Sequence, residues 1–442
     1  VPTEIDGTTN SQAKRPSGTY GQGYAAGYAY GVREGLRTFG VNEAITSIII
    51  PTYDRVDLLL QCLDHIEQHT SSPHEVIVVD NGSTDGTAAA VRRRRGQVRL
   101  AVHPQNLGFA RAVNTGLMMA KGNTIVLLNN DVLVTERWLD QLQACLRQFP
   151  EAAAAGPVTN YISGEQQIDV PYEDVADMPA FAAQYNRPDP LKWRVTDRLV
   201  GFCVAFPRTT LEQIGYFDEG YEIGNFEDDD WVARLRLQGK RMVIAGDTFV
   251  HHYGSMTMKG LGSQGFQEVN TRNHHFFNEK WGDLHALYTR LPAWRGDRVL
   301  RAADFYPTHV RVRDVNGGVH WLEHGVRYRL PQAGALEPEP ARLSVLELLQ
   351  LPAGPVRSPE QLPWLTGGPP PEAGLADGVV VVVSGGRCYQ IDRGQRREII
   401  SEYTLRAWGL EPLGAAVSEE MLAAYPEGVP ILPPPRIISD DL

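Results

Sequence analysis

Cysteine is scarce in this chain. Cys62, Cys145, Cys203 and Cys388 are the four among 442 residues, and they lie too far apart to show the paired spacing of a zinc or iron–sulfur site. The pattern reads as that of a reduced, cytoplasmic protein. Long apolar runs are also lacking. The longest, such as Val379 to Val383, are strand-sized, so neither an integral membrane segment nor a signal-peptide core is expected. Positive charge is in deficit, with 42 Lys and Arg against 53 Asp and Glu and a formal net charge of -11. That balance argues against a nucleic-acid partner or an anionic membrane surface, both of which require a spread basic face. A small anionic ligand would need local help from a metal or a helix N-terminus. Apolar material, by contrast, suffices for two or three cores, and a multidomain protein is expected. The chain opens on Val1 rather than a methionine, which leaves room for a missing native start.

Residues 1–17 are polar and rich in Thr, Ser and Pro, a composition that stays disordered. Gly23, Gly27, Gly31 and Gly35 then recur every four residues beside Tyr20, Tyr24 and Tyr28. This spacing fits a helix with a glycine stripe or, equally, a flexible arm. From Ile45 to about Ala155 short β-branched runs alternate with amphipathic stretches. The alternation predicts strands at Ile45–Ile50, Glu75–Val79, Val98–Val102 and Thr124–Leu128, and helices at Val56–His69, Thr84–Arg94, Phe109–Ala120 and Glu136–Phe149. Such βα repetition implies an α/β fold with a mostly parallel, Rossmann-like sheet flanked by helices. Ligands of these sheets sit outside the carboxyl ends of the strands. The tail contains an internal repeat: Gly317-Gly318, Trp321, Gly325, Arg327 and Leu330 are echoed by Gly385-Gly386, Tyr389, Gly394, Arg396 and Ile399. Ser344, Pro352 and Gly354 likewise match Ser418, Pro426 and Gly428. Two hairpin-plus-helix modules of a small α+β region follow. The expected domains are an arm over residues 1–40, an α/β domain over 41–300, a first repeat over 301–360, and a linker with the second repeat over 361–442.

Four loops at predicted strand ends carry polar chemistry. Pro51-Thr52-Tyr53-Asp54-Arg55 bends away from the first strand into a helix whose N-terminus suits an anion. Asp80-Asn81-Gly82 places a carboxylate where nucleotide folds grip a ribose or base, although a turn or cap explains part of it. Asn106 caps a helix that presents Arg111 and Asn114 three residues apart; Arg111 either meets phosphate or is simply solvated. Asn129-Asn130-Asp131 ends the apolar central strand, and Asp131 suits a divalent cation bridging a diphosphate, or else a turn. Further on stands the acidic helix start Glu227-Asp228-Asp229-Asp230-Trp231, with Arg234 following, and after the predicted strand Met242–Ala245 come His251-His252-Tyr253-Gly254-Ser255. Lys280 could reach a phosphate from a helix packed beneath the site.

In order and spacing, Ile-Pro-Thr-Tyr-Asp-Arg, Val-Val-Asp-Asn-Gly-Ser-Thr-Asp-Gly, Asn-Leu-Gly-Phe-Ala-Arg and Leu-Asn-Asn-Asp resemble the donor-binding half of family 2 glycosyltransferases over about residues 45–285. The resemblance implies a GT-A fold and a nucleotide-sugar donor, with uridine diphosphate the expected carrier. The implied donor contacts are Pro51, Thr52, Tyr53, Arg55, Asp80, Asn81, Asn106, Arg111, Asn129, Asn130 and Asp131. It also implies Mn²⁺ or Mg²⁺ at Asp131, the one carboxylate left in the family's Asp-x-Asp position, with His251 favoured over His252 as a further ligand. The family pattern Glu-Asp-x-Asp-x-x-x-Arg makes Asp228 the catalytic base and Asp230 the reserve, with Glu227 and Trp231 beside the acceptor. One displacement at the anomeric carbon would invert configuration. A looser likeness, in the stretch from Val158 to Gly164 and the Gly/Tyr leader, is to surface-glycan and spore-maturation transferases of spore-forming bacteria. The acceptor is a hydroxyl on a glycan or a protein, and a homodimer is compatible with the sequence. A weak nucleotide-sugar binder and a nucleotidyltransferase remain as alternatives.

Overall fold

Isoleucine and valine alternate between the two faces of the first strands, and that alternation builds the core. In the computed structural model, β1 (Glu43–Thr52) and β2 (His74–Asp80) send Ile49, Ile77 and Val79 to one face and Ile48, Ile50, Val76 and Val78 to the other. Helices cover both faces, as runs apolar on both sides require. The structure describes residues 41–94, 98–254, 262–331, 339–358, 361–362, 375–412 and 416–442. The readings made for the leader at 1–40 and for Ser255 lie outside them.

Helix α1 (Val56–His69) follows β1, α2 (Thr87–Arg93) follows β2, and α3 (Phe109–Met119) follows β3 (Val98–Val102). Then come β4 (Gly122–Leu128), β5 (Val132–Leu133), α4 (Trp138–Gln148) and β6 (Ala152–Thr159). Gly116 lets α3 press onto β1, since a Cβ there would stand 2.2 Å from Ile49 Cγ2. Gly82, at φ +82, turns the chain after β2 against the backbone of Gln105, where a Cβ would come within 2.4 Å. Beyond β6 lie α5 (Met178–Tyr185), β7 (Trp193–Thr196), β8 (Cys203–Pro207), α6 (Arg208–Ile214), α7 (Glu227–Leu237) and β9 (Arg241–His252).

The sheet runs β3-β2-β1-β4-β8-β6-β9-β5, with β7 also paired to β9. It is mixed rather than mostly parallel: β1, β2 and β3 are parallel neighbours, but β8 runs antiparallel to both β4 and β6. The cause is the excursion over residues 160–202. It leaves the carboxyl end of β6 and returns at that same end, so that Cys203 pairs with Leu128 and β8 must run backwards.

Two long helices follow, α8 (Gly262–Trp281) and α9 (Leu284–Arg295). The tail then forms a four-stranded sheet from β10 (Val310–Arg313), β11 (Val319–Glu323), β12 (Val326–Leu330) and β13 (Ala341–Arg342), and α10 (Val345–Leu349). A three-stranded sheet from β14 (Val380–Val382), β15 (Cys388–Asp392) and β16 (Gln395–Ile399) precedes α11 (Glu402–Trp408) and α12 (Glu419–Ala423). The repeat is visible bond by bond. Arg327 N donates to Pro352 O and Gly354 N to Arg327 O, while Arg396 N donates to Pro426 O and Gly428 N to Arg396 O. Ser344 and Ser418 cap α10 and α12. The end of the chain returns to the large sheet's domain, where Glu219 accepts from the backbone of Ile438 and Ser439 at 2.6 and 2.7 Å. Among the described residues no helix is long and apolar enough to cross a membrane.

Candidate active site

The carboxyl ends of β1, β2 and β4 open onto one cleft of about 970 Å³ including its mouth, within the size range of small-molecule sites. Pro51, Thr52, Tyr53, Asn81, Asn106, Asn129, Asn130 and Asp131 line it from one side. Gly201, Phe202, Ile223, Gly224, Asn225, Glu227, Asp228 and His252 line it from the other. Much of the first wall is a polar lattice. Asn81 donates to Asn106 Oδ1 and to Gly108 O at 2.9 and 3.0 Å and accepts from Leu107 N. Asn130 donates to Thr52 Oγ1 at 2.8 Å. These amides hold the loops that a ligand would touch.

Three expected donor contacts fall outside the lining. Asp80 is fully buried behind Asn81, with one oxygen accepting from Ser83 N and the other without a hydrogen bond among the described residues. Arg111 points to Glu219, 3.7 Å away, because α3 turns that face toward the segment that anchors the chain's end. Arg55 occupies the N-cap of α1 at φ 60, away from the cleft lining.

The histidine expectation is corrected by strand parity. Adjacent residues of β9 face opposite ways, and His251 bonds Tyr172 Oη through Nδ1 at 2.8 Å, outside the cleft lining. Burial, with His252 adding to it, pushes His251 down to about 4. His252 is the one in the cleft. Its backbone is pinned by Asn160, its ring stacks on Phe202 at 5.2 Å, and its Nδ1 lies 2.8 Å from Tyr161 O. A carbonyl only accepts, so Nδ1 carries a proton and Nε2 is the nitrogen left to face Asp131. That Nε2 stands 3.3 Å from Asp131 Oδ1, with both side chains almost wholly buried. Two acceptors at this distance call for a cation between them, either a proton or a metal ion. The imidazole–carboxylate pair fits Mn²⁺-like ions, and the Tyr161 carbonyl fixes the tautomer such a ligand needs.

The acidic helix start separates into distinct roles. Asp228 lines the cleft, accepting from Gly201 N at 3.0 Å and from Asp229 N at 2.9 Å. Burial, reinforced by the neighbouring Asp229 carboxylate, pushes it up to about 6. Glu227 shares the lining and is held well above the usual carboxylate range by burial and by Asp228. Asp229 pairs with Arg198 at 2.9 Å. Asp230 does not fit a reserve base: it is fully buried and bonded to Lys280 at 2.5 Å, Arg234 at 3.0 Å and Trp281 Nε1 at 2.9 Å. Lys280 also meets Asp218 at 2.5 Å, so it locks α8 to α7 and faces no phosphate. Trp231 is core rather than acceptor wall, stacked on Phe217 at 5.6 Å and packed against Phe206.

The sequence reading missed the loop 221–226. Ile223, Asn225 and Phe226 all have positive φ, at 58, 80 and 73, a conformation costly for a β-branched residue. Asn273 of α8 imposes it by donating to the carbonyls of Glu222, Gly224 and Asn225 and accepting from Glu222 N. Phe109 N donates to Ile223 O at 2.7 Å. The only signal was an asparagine in a helix interior with no evident task. Asn273→Ala is expected to lower kcat/KM for the donor by about 10- to 100-fold through misplacement of this wall, as steady-state kinetics would read.

The strand ends of this mixed α/β sheet gather a carboxylate–imidazole pair and a separate raised carboxylate. Residues 47–214 match the family model for glycosyl transferase family 2. The chain is 31% identical over 231 residues to the O-antigen biosynthesis protein RfbC of Myxococcus xanthus, covering 48% of this chain and 18% of that one. It is 27% identical over 293 residues to the N-acetylglucosaminyl-diphospho-decaprenol L-rhamnosyltransferase of Mycobacterium tuberculosis, covering 58% and 92%. The chain spans between 18% and 40% of the first three curated relatives it matches. Among solved structures it is similar to the mannosyltransferase PcManGT from Pyrobaculum calidifontis in complex with GDP-Man and Mn²⁺. There the TM-score is 0.36 at 20% identity, covering 62% of this chain and 81% of that one.

Proposed function

We propose that this protein transfers a sugar from a nucleotide-diphosphate sugar, with UDP the expected carrier, to a hydroxyl of a surface glycan, with inversion at the anomeric carbon. The observation that carries the reading is the presence, in one cleft, of the Asp131–His252 pair and the raised carboxylate of Asp228. Asp131 and His252 would hold Mn²⁺ or Mg²⁺, which when bound supplies Lewis-acid stabilisation of the departing diphosphate. The chain's own residues do the rest. Tyr53, Asn81 and Asn106 offer the nucleotide a polar wall, Gly201 and Asp229 orient Asp228 through their backbone N–H groups, and Asp228 takes the acceptor's proton as its oxygen attacks. Glu227, whose carboxyl is pushed well above the usual range by burial and by Asp228, stands beside it. The names of the relatives, an O-antigen biosynthesis protein and a rhamnosyltransferase, support a glycan acceptor over a protein side chain. The four cysteines, all buried and without disulfides, support a cytoplasmic location.

The pH dependence follows from the sign of the shift. Asp228 acts only when ionised, and below about 6 it is protonated. Activity as kcat/KM is therefore expected to fall about tenfold per unit below that point and to level off above it. A pH–rate profile from pH 4.5 to 8 tests this; a flat acid limb in a fully folded enzyme contradicts the assignment.

A further inference from the structure

Outside the cleft, the seam between the two C-terminal sheets gathers five polar side chains that the transfer reaction does not use. Glu323 and Asp392 occupy equivalent positions, each just before a two-residue hairpin turn in which both central residues have positive φ, His324-Gly325 and Arg393-Gly394. His309 stands immediately before β10, and its ring packs on Gly378, where a Cβ would come within 2.5 Å of the imidazole. Two groups result, His309 with Glu323 and His324, and His324 with Asp377 and Asp392. Within each group the donor atoms all lie within 4.8 Å of one another.

We propose that this seam is a transition-metal site of zinc type, with His309, Glu323 and His324 as protein ligands and Asp377 beside His324 to complete the set. The ligand class is two imidazoles and a carboxylate, which suits zinc. Each ligand is already aimed. Thr308 Oγ1 engages His309 Nδ1 at 2.9 Å, which turns Nε2 to face Glu323 Oε1 at 4.0 Å. Arg357 pairs with the other oxygen of Glu323, Oε2. Asp392 Oδ1 holds His324 Nδ1 at 2.8 Å, the carboxylate–histidine arrangement that supports a metal-bound imidazole, while Nε2 lies 3.6 Å from Asp377 Oδ2. Donors around a tetrahedral zinc stand roughly 3.3–3.5 Å apart given bond lengths near 2.0–2.1 Å, so closure must draw His309 and Glu323 together from 4.0 Å, the remaining donors of that group from separations of up to 4.8 Å, and Asp377, which lies outside that group, further still. The ion would tie the first repeat to the second, a staple rather than a reaction centre.

The test uses the full chain carrying Asp131→Ala, so that the donor cleft does not contribute. After chelation and dialysis against Zn²⁺, one equivalent of zinc per chain should remain by elemental analysis, and Co²⁺ should give the absorption of a four-coordinate site. Adding His324→Gln, or His309→Ala with His324→Gln, should weaken Zn²⁺ binding at least tenfold and abolish the rise in Tm on zinc addition, with far-UV circular dichroism unchanged. Should His324→Gln fail to fold, Asp377→Asn, at a partly exposed residue, is to lower affinity in its place. Zinc binding unchanged by these substitutions, or no binding at micromolar Zn²⁺, overturns the proposal. Either result leaves the donor-site reading standing, since that site is disabled in every sample.

Discussion

Asp228→Asn is expected to lower kcat by about 10²- to 10⁴-fold, the usual contribution of a positioned general base, while nucleotide-sugar binding stays as in the parent. The amide keeps an oxygen to accept from Gly201 N or from Asp229 N, so the helix start need not rearrange. It loses the capacity to take a proton, and the acid limb near pH 6 should vanish with it. Asp230→Asn makes the contrast. That carboxylate is sealed among Lys280, Arg234 and Trp281, so its loss should lower the Tm and act on rate only through folding. Steady-state kinetics combined with thermal denaturation separate the two. If Asp228→Asn turns over donor at the parental rate, the base is elsewhere. A protein that binds the nucleotide sugar but shows no turnover even in the parent would instead be the weak binder that Asn129 and Asn130 made conceivable.

The second large effect concerns the cation. Asp131→Ala should raise the Mn²⁺ concentration needed for half-maximal activity by more than the 10- to 100-fold that is typical when only an orienting outer residue is lost. His252→Ala should behave similarly. His251→Ala should not, because its ring lies against Tyr172 outside the cleft lining. This pair of histidines is a sharp test, since neighbouring positions on one strand are assigned opposite roles. Equal metal dependence in both histidine variants contradicts the assignment.

The asymmetry between those histidines shows where reading the sequence stopped. The βα alternation was legible because β-branched runs and helical spacing differ in period; α1 was predicted at its observed bounds, Val56–His69. The polar loops followed from their place at strand ends, and eight of the eleven expected donor residues line the cleft. Parity on β9 was not legible. It depends on the register that sets His252 opposite Val132 and His251 opposite Leu133, and neighbouring histidines carry no mark of it. Likewise Asp228 and Asp230 are both acids on a first helical turn, and only packing tells that one meets the cleft and the other meets Lys280. A hint was present, since Asp230 and Arg234 are four apart, the spacing of a helical ion pair. The mixed sheet was hidden because β8 arrives from a long excursion whose own elements, α5 and the short β7, carry no sign of the end of the sheet to which the chain returns. The strain at Ile223 was hidden too, since Asn273, which holds that loop, is about fifty residues away.

The most direct test of the whole account is a thermal-shift screen of the wild-type chain against UDP-, GDP- and dTDP-sugars, each with and without Mn²⁺. A ligand that binds the folded state at 100 times its Kd stabilises it by about 2.7 kcal/mol. The account predicts that at least one nucleotide sugar raises the Tm by several degrees with Mn²⁺, that the rise collapses without the metal, and that Asp131→Ala removes it. No shift with any nucleotide sugar, or a shift of equal size with and without Mn²⁺, would contradict it.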